Sequence, residues 1–328
     1  MPPKGRVFHG VTETRLGNTD LDRFASQVKA HPAVEEDFYS WDTPLSTGAL
    51  QRWQQTKTRG ILSLSTAPGG ANEVIDPKQI AKGRGDFYIL RLNESIASSG
   101  QVVYIRLMPE MNGSWNPYGA FNANGSRRPS SHSTEQYRQA WRRFSIIVHG
   151  GTLKGINRRL HKLHMPRLLR ARSEHARVYA RAGVGRNLAK PKVAMIWNPQ
   201  TISSPNVKGN SPQAYWPGAQ YVDWVAADIY SKYATPGVKS ALTSFYKRYS
   251  AFPFAITEYA PWDNDSKGAF VRWLFGWAKH HDRTRMLVYY RSVFFGSPFD
   301  ISRYSRAEQS LRKILNSPRF MQYAPGTR

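Results

Sequence analysis

Two glutamates in this sequence each close a short β-prone run and open an aromatic turn. Val102-Val103-Tyr104-Ile105 leads through Arg106-Leu107-Met108-Pro109 to Glu110, and Met111-Asn112-Gly113-Ser114-Trp115-Asn116-Pro117-Tyr118 follows. Phe254-Ala255-Ile256-Thr257 leads to Glu258, and Tyr259-Ala260-Pro261-Trp262 follows. Alternate residues of an extended chain share one side, so Arg106, Met108 and Glu110 are expected to project together. A carboxyl group in a desolvated aromatic setting has a raised pKa, as a general acid working near neutral pH requires. Two carboxyl groups facing each other across a sugar ring hydrolyse glycosides. A gap of about 5–5.5 Å gives retention, and about 6.5–9.5 Å gives inversion. Taken alone, each glutamate also fits a salt-bridged turn residue.

Other residue types suit the same chemistry. Aromatics make up 13% of the chain, with 10 Trp and 17 Tyr. Flat apolar faces with polar edges suit sugar rings, which makes Trp115, Tyr118, Trp197, Trp216, Trp262 and Tyr290 candidate platforms, each equally suited to packing. Asn112 and Asn198 are candidate hydroxyl partners, although turn residues have local reasons to be Asn. Rival chemistries are poorly represented. The chain has no cysteine, which excludes disulfides, thiolate catalysis and Cys-based zinc sites. The close histidine pairs, His161/His164 and His280/His281, lack the carboxylates of a zincin arrangement. Ala67-Pro68-Gly69-Gly70 lacks the Lys of a phosphate loop, and no nucleophile elbow or dinucleotide fingerprint is present. Neither a metal nor a cofactor is expected.

The elements that must position these residues alternate along the chain. Strands are predicted at Val7–Val11, Phe38–Trp41, Ile61–Ser65, Val102–Met108, Val193–Trp197, Val222–Ile229, Phe254–Glu258 and Met286–Tyr290, with amphipathic helices between them, such as Leu21–Ala30, Thr134–Val148, Lys239–Tyr249 and Gly268–His280. Eight such units without a composition break, in 328 residues, predict an α/β fold: one (β/α)8 TIM barrel spanning residues 1–328. Strand ends at Trp41, Glu110, Asn198, Tyr230 and Glu258 then face the mouth where barrel enzymes do their chemistry.

One segment breaks the rhythm. Gly151 to Lys190 holds eleven Lys/Arg against the single acid Glu174, between helix 4 and strand 5, where a few residues are the norm. Leu160–Ala182 has helical character interrupted at Pro166. The segment reads as a basic insertion. With a formal net charge of +25 it suggests an anionic polymer or surface as partner, or else a solvated face.

These residues resemble glycoside hydrolase family 26, the β-mannanase family of the clan of retaining barrel glycosidases. The hallmark of that family is an Arg-containing fourth strand running into Glu-Met-Asn-Gly-x-Trp, matched by Arg106 and by Glu110 through Trp115. Gly85-Asp86-Phe87-Tyr88-Ile89 resembles the preceding helix and Tyr137 to Arg143 the following one. Trp197-Asn198-Pro199, Trp216-Pro217-Gly218 and Tyr221-Val222-Asp223-Trp224-Val225 resemble the fifth and sixth strands. The likeness covers most of the chain, is specific around Glu110 and is looser around Glu258. It implies that Glu110 is the acid/base, that Glu258 is the nucleophile, that Arg106 belongs to the substrate-binding set, and that Tyr230 bonds the nucleophile. Pro109 departs from the family pattern, which has His before the acid/base, and this puts the mannan preference in question.

The expected function is a retaining, endo-acting hydrolase of a β-linked polysaccharide such as β-mannan or β-glucan. The alternative is a noncatalytic binder of anionic polymer that uses the cleft and the insertion. No apolar run approaches the roughly 18 residues of a membrane span. The chain reads as a monomeric secreted enzyme whose signal peptide is absent, because a strand-like segment begins already at Arg6.

Overall fold

The computed structural model describes residues 1–13, 19–67, 72–168, 187–265, 267–291 and 297–326. Eight parallel strands pair in chain order: β1 (Val7–Glu13), β2 (Val34–Ser40), β3 (Arg59–Ser65), β4 (Val102–Leu107), β5 (Lys192–Trp197), β6 (Trp224–Tyr230), β7 (Phe254–Ala260) and β8 (Thr284–Tyr289). Phe8 to Val11 of β1 pair with Met286 to Tyr289 of β8, which closes the ring into a (β/α)8 barrel. Around it lie α1 (Thr19–Val28), α2 (Thr47–Gln55), the short α3 (Pro77–Ala81), α4 (Asp86–Ser99), α5 (Thr134–Val148), α6 (Leu153–Lys162), α7 (Pro236–Arg248), α8 (Ala269–His280) and α9 (Ser305–Leu315). Between β5 and β6 the crossover is made of two 3-10 turns, Pro212–Tyr215 and Ala219–Tyr221, instead of an α-helix.

Local sequence accounts for these elements. Ser133 caps α5 by accepting from the Gln136 amide, and Tyr137, Ala140, Trp141, Phe144 and Val148 then recur at helical spacing on the buried face. Thr235 and Pro236 start α7 in the same manner, with a capping hydroxyl and a residue that needs no amide donor. At Gly60 a Cβ would sit 2.3 Å from the Trp53 ring, so only glycine lets α2 lie this close to β3.

Inside the barrel, inward side chains form two layers. Phe8, Val34, Ile61, Tyr104, Ile196, Trp224, Ala226, Ala255, Met286 and Val288 make an apolar plug. One inward position further along several of the same strands come Glu36, Ser63, Arg106, Asn198 and Asp228, all buried and polar. The plug fills the N-terminal half and the polar layer lies under the C-terminal mouth, as the alternation of each strand dictates.

The basic insertion is rooted at the opposite end. Gly151–Thr152 pairs antiparallel with Asn187–Leu188, between the end of α5 and the start of β5. Helices of this fold return to the N-terminal face, so that pair lies far from the mouth. α6 buries Ile156 and Leu160 and exposes Lys154, Arg158, Arg159, His161 and Lys162. Arg143 of α5 donates to the Pro166 carbonyl at 2.8 Å, which holds the chain beyond α6 against the outer helices. The helical stretch predicted over Leu160–Ala182 ends at Lys162 within the described part, and from residue 169 it lies outside the described residues.

Candidate active site

Arg106 is the hub of the polar layer. Projecting from β4 and only 1% exposed, it donates through Nε to Asn198 Oδ1 at 2.5 Å. Nη1 donates to Glu258 Oε1 at 2.5 Å, Glu36 Oε1 at 3.0 Å and Ser63 Oγ at 3.2 Å, and Nη2 donates to Asp228 Oδ2. Burial works against its charge, but Asp228, Glu258 and Glu36 outweigh that and hold the guanidinium protonated. Thr257 Oγ1 ties the ring together, within hydrogen-bond distance of Asn198 Oδ1 at 2.6 Å and of Asp228 Oδ1 at 2.8 Å.

Thr257 and Glu258 are consecutive, yet both reach this interior. A regular strand would send one of them outward. The pairing with β6 runs Ala227 with Ile256 and then Asp228 with Glu258, so β7 carries one extra residue. The bulge re-aims Glu258 into the barrel. There Tyr230, at the end of β6, donates its hydroxyl to Glu258 Oε2.

Glu110 arrives by another device. The alternation expected to align Arg106, Met108 and Glu110 breaks after Leu107. Met108 (φ 41) and Glu110 (φ 52) adopt left-handed backbone, and the buried Met108 joins the layer between barrel and helices. The Glu110 amide donates to the Asn198 carbonyl at 2.7 Å, which ties the turn to the end of β5. Left-handed backbone costs a non-glycine residue on the order of 1–2 kcal/mol, and such strain gathers at functional sites. The Glu110 carboxyl accepts from Trp115 Nε1 at 2.8 Å and from the Gln200 side-chain amide. Burial pushes its pKa up, Glu258 adds to the rise, and Arg106 and Trp115 oppose it. Burial likewise raises Asp228 well above the ordinary carboxylate range, and raises Glu36 to about 8. Four carboxyl groups thus share one guanidinium, and protonation of three of them leaves one anion for one cation.

Arg106, Glu110, Trp115, Asn198, Tyr230 and Glu258 form one constellation. Trp262 and Tyr290 flank it, their rings 5.5 Å and 5.8 Å from that of Tyr230. Trp115, 54% exposed, offers an open face beside Glu110. The remaining candidates are placed elsewhere. Trp197 is fully buried among Trp216, Phe245 and Tyr249 behind β5, so neither it nor Trp216 faces the mouth as a sugar platform. Tyr118 is 1% exposed and spends its hydroxyl on the Pro109 carbonyl. Asn112, also buried, clamps the main chain of Gln200, accepting from its amide and donating to its carbonyl, each at 2.8 Å. It therefore shapes the turn that carries Gln200 and has no hydroxyl-binding edge left.

Glu36, Ser63, Gln200, Asp228 and Thr257 were not singled out by sequence reasoning. Asp228 had a signal, since it precedes Tyr230 by two on an alternating strand. Gln200 had little, because its role depends on the Asn112 clamp.

An eight-stranded parallel barrel with a polar, carboxyl-rich layer at its C-terminal mouth defines the class: a (β/α)8 barrel with its site where this fold places chemistry. No family model and no curated protein matches the sequence. Among solved structures the chain is similar to the Bacillus subtilis mannanase BCman (16% identity, TM-score 0.57, covering 97% of this chain and 87% of that one). It is also similar to a modular endo-β-1,4-mannanase of Cellulomonas fimi, described as a family 26 glycoside hydrolase (13% identity, TM-score 0.60, covering 97% and 72%). A β-mannanase from a symbiotic protist of the termite Reticulitermes speratus gives 13% identity and a TM-score of 0.53, covering 97% and 88%. The chain shares the fold of these mannanases.

Proposed function

We propose that the protein is a retaining, endo-acting glycoside hydrolase of family 26 type that cleaves a β-linked polysaccharide, β-mannan first among the substrates to be tested. The observation that carries this reading is the unequal treatment of two glutamates in one constellation. Glu258 is gripped by Arg106 and Tyr230 in the geometry of an anion, while burial and the Glu258 charge favour the protonated form of Glu110. Glu110 gives its proton to the glycosidic oxygen as the bond to the leaving sugar breaks. Glu258 Oε attacks the anomeric carbon and forms the glycosyl ester. Glu110, now a carboxylate, takes a proton from water, whose oxygen displaces Glu258 and regenerates both groups.

The fold shared with endo-β-mannanases supports a polysaccharide substrate. Pro109 brings no side-chain donor next to the acid/base, which leaves the open face of Trp115 and the Gln200 side chain beside Glu110 to meet the sugar. On this reading residues 1–328 form a single secreted catalytic domain acting as a monomer. No helix among the described residues is long and apolar enough to cross a membrane. The test is product analysis on β-mannan, mixed-linkage β-glucan, xylan and acidic polysaccharides, with the anomer released first identified by NMR. Oligosaccharides released with retained configuration from a neutral β-glycan are the expected result. No cleavage of any polymer, or inverted products, overturns the reading.

A further inference from the structure

Double displacement uses neither Glu36 nor Asp228 of the polar layer, and of the two Glu36 alone shares Arg106 Nη1 with Glu258. Glu36 projects from β2 into the barrel and is fully buried. Its Oε1 accepts from Arg106 Nη1 at 3.0 Å, and its Oε2 has no hydrogen-bond partner among the described residues. The same Nη1 donates to Glu258 Oε1 at 2.5 Å and reaches Ser63 Oγ at 3.2 Å. A guanidinium Nη bears two N–H groups, so three acceptors compete for two protons. The charged and titratable groups around Glu36 are Arg106 and Glu110 from β4 and its turn, Asp228 from β6, Glu258 from β7 and the Tyr290 phenol beyond β8. Arg106 is the one cation in that set.

We propose that Glu36 is a positioning residue for the nucleophile: uncharged, it leaves Arg106 Nη1 to Glu258, and ionised, it draws Nη1 away and misaims Glu258. The inference rests on the glycosidase reading above. A buried carboxylate needs donors on both oxygens, and Oε2 has none, so the enclosed geometry favours the acid form. Burial accordingly pushes Glu36 up to about 8, Arg106 pulling the other way and the Glu258 charge adding to the rise. Ionisation then sets two anions on one nitrogen. A misplacement on the order of 1 Å in a reacting group costs about 10²-fold in rate. The extra negative charge also favours an oxocarbenium-like transition state. The proposal is that loss of aim outweighs this gain, and a pH profile reads the sign.

The substrate for that profile is 2,4-dinitrophenyl β-mannobioside, whose leaving group needs no proton, so the titration of Glu110 drops out of glycosylation. In the wild type kcat/KM is expected to fall about tenfold from pH 7 to pH 9, as a single group of pKa near 8 requires, while Glu36→Gln stays flat over that range. A flat wild-type profile, or a variant that falls with it, overturns the proposal. A second readout does not need turnover. In ¹³C NMR of protein labelled at the Glu carboxyl carbons, one signal titrating near 8 should vanish in Glu36→Gln, and Glu35→Gln identifies the other group raised to that range. If no such signal is lost, Glu36 is not the titrating group and the proposal fails. Glu36→Ala carries both readouts should the Gln variant misfold. Wild type that leaves the mannobioside intact counts against the glycosidase reading, and the NMR titration still decides the state of Glu36.

Discussion

Strand β2 places three consecutive acids on its two faces, and each face meets one arginine. Outward, Glu35 and Asp37 accept from Arg52 of α2, with Trp53 Nε1 on Asp37 at 3.2 Å and Thr58 Oγ1 on Glu35 at 3.4 Å. Inward, Glu36 joins Asp228 and Glu258 on Arg106. Both clusters are buried, and both hold raised carboxyls. Burial pushes Glu35 to about 8 and Asp37 to about 6, so a shifted pKa does not tell the clusters apart. What does is the surface beyond them. The outer cluster lies between β2 and α2, with Trp53 seated on Gly60, on the helix side of the barrel wall instead of under the mouth. The inner one ends at Glu258, Glu110 and the exposed Trp115. Buried ion pairs are structural by default; chemistry needs one with an open edge.

The contrast can be broken at several points. Glu258→Ala should lower kcat on polysaccharide by about 10⁴-fold or more, the scale for a lost nucleophile, whereas folded Arg52→Met should stay within about twofold of wild type. Initial-rate kinetics on correctly folded protein decide this, and loss of turnover in Arg52→Met would merge the two clusters. Glu110→Ala should cost about 10²–10⁴-fold on polysaccharide and far less on 2,4-dinitrophenyl glycosides, with azide restoring part of the rate. Equal losses on both substrates would remove Glu110 from the acid/base role. In chemical denaturation Arg52→Met should lose about 3–5 kcal/mol, because two buried carboxyls lose their cation.

Acidity probes the outer cluster further. Glu35 and Asp37 are raised in the folded state, so the native protein holds protons that the unfolded chain has released. Their contribution to stability is therefore greatest below the ordinary carboxylate range and is lost as pH rises through about 6 and then about 8. Glu35→Gln should flatten the fall of Tm between pH 5 and pH 8.5; an unchanged slope would assign that dependence elsewhere. The smallest effect concerns the insertion, whose root lies at the end opposite the mouth. Changing Lys154, Arg158, Arg159 and Arg167 to Gln should leave neutral-polymer cleavage unaltered from 0.1 to 1 M salt, as the Debye length falls from about 10 to about 3 Å. A salt-dependent change would bring that face functionally close to the cleft. Arg170, Arg172 and Arg177 of the same segment lie outside the described residues.

Much of this is legible in the sequence. β-Branched and aromatic runs marked all eight strands, and α5 matched its sequence range residue for residue. β2 was read late, from Phe38 instead of Val34, because Glu35-Glu36-Asp37 looks like solvated chain until an arginine is found on each face. Partners distant in sequence carry no local signal. The β7 bulge and the left-handed turn at Met108 and Glu110 were illegible for a related reason. Each interrupts a period of two that Val, Ile and Leu otherwise announce, and tertiary contacts, not propensity, make up for the interruption. Trp197 and Asn112 show the converse: aromatic and amide types are equally good at packing and clamping, and only burial separates the uses.

The single guanidinium of the inner layer also acts as a sieve. A uronic acid ring docked against Glu258 would carry its own carboxylate toward a set of acids that Arg106 already balances. That carboxylate would give up water and find no unpaired cation in the layer, because Glu258 already takes the Arg106 charge. The protein as a whole carries a formal charge of +25, which favours polyanions, while the inner layer keeps no spare positive charge for them.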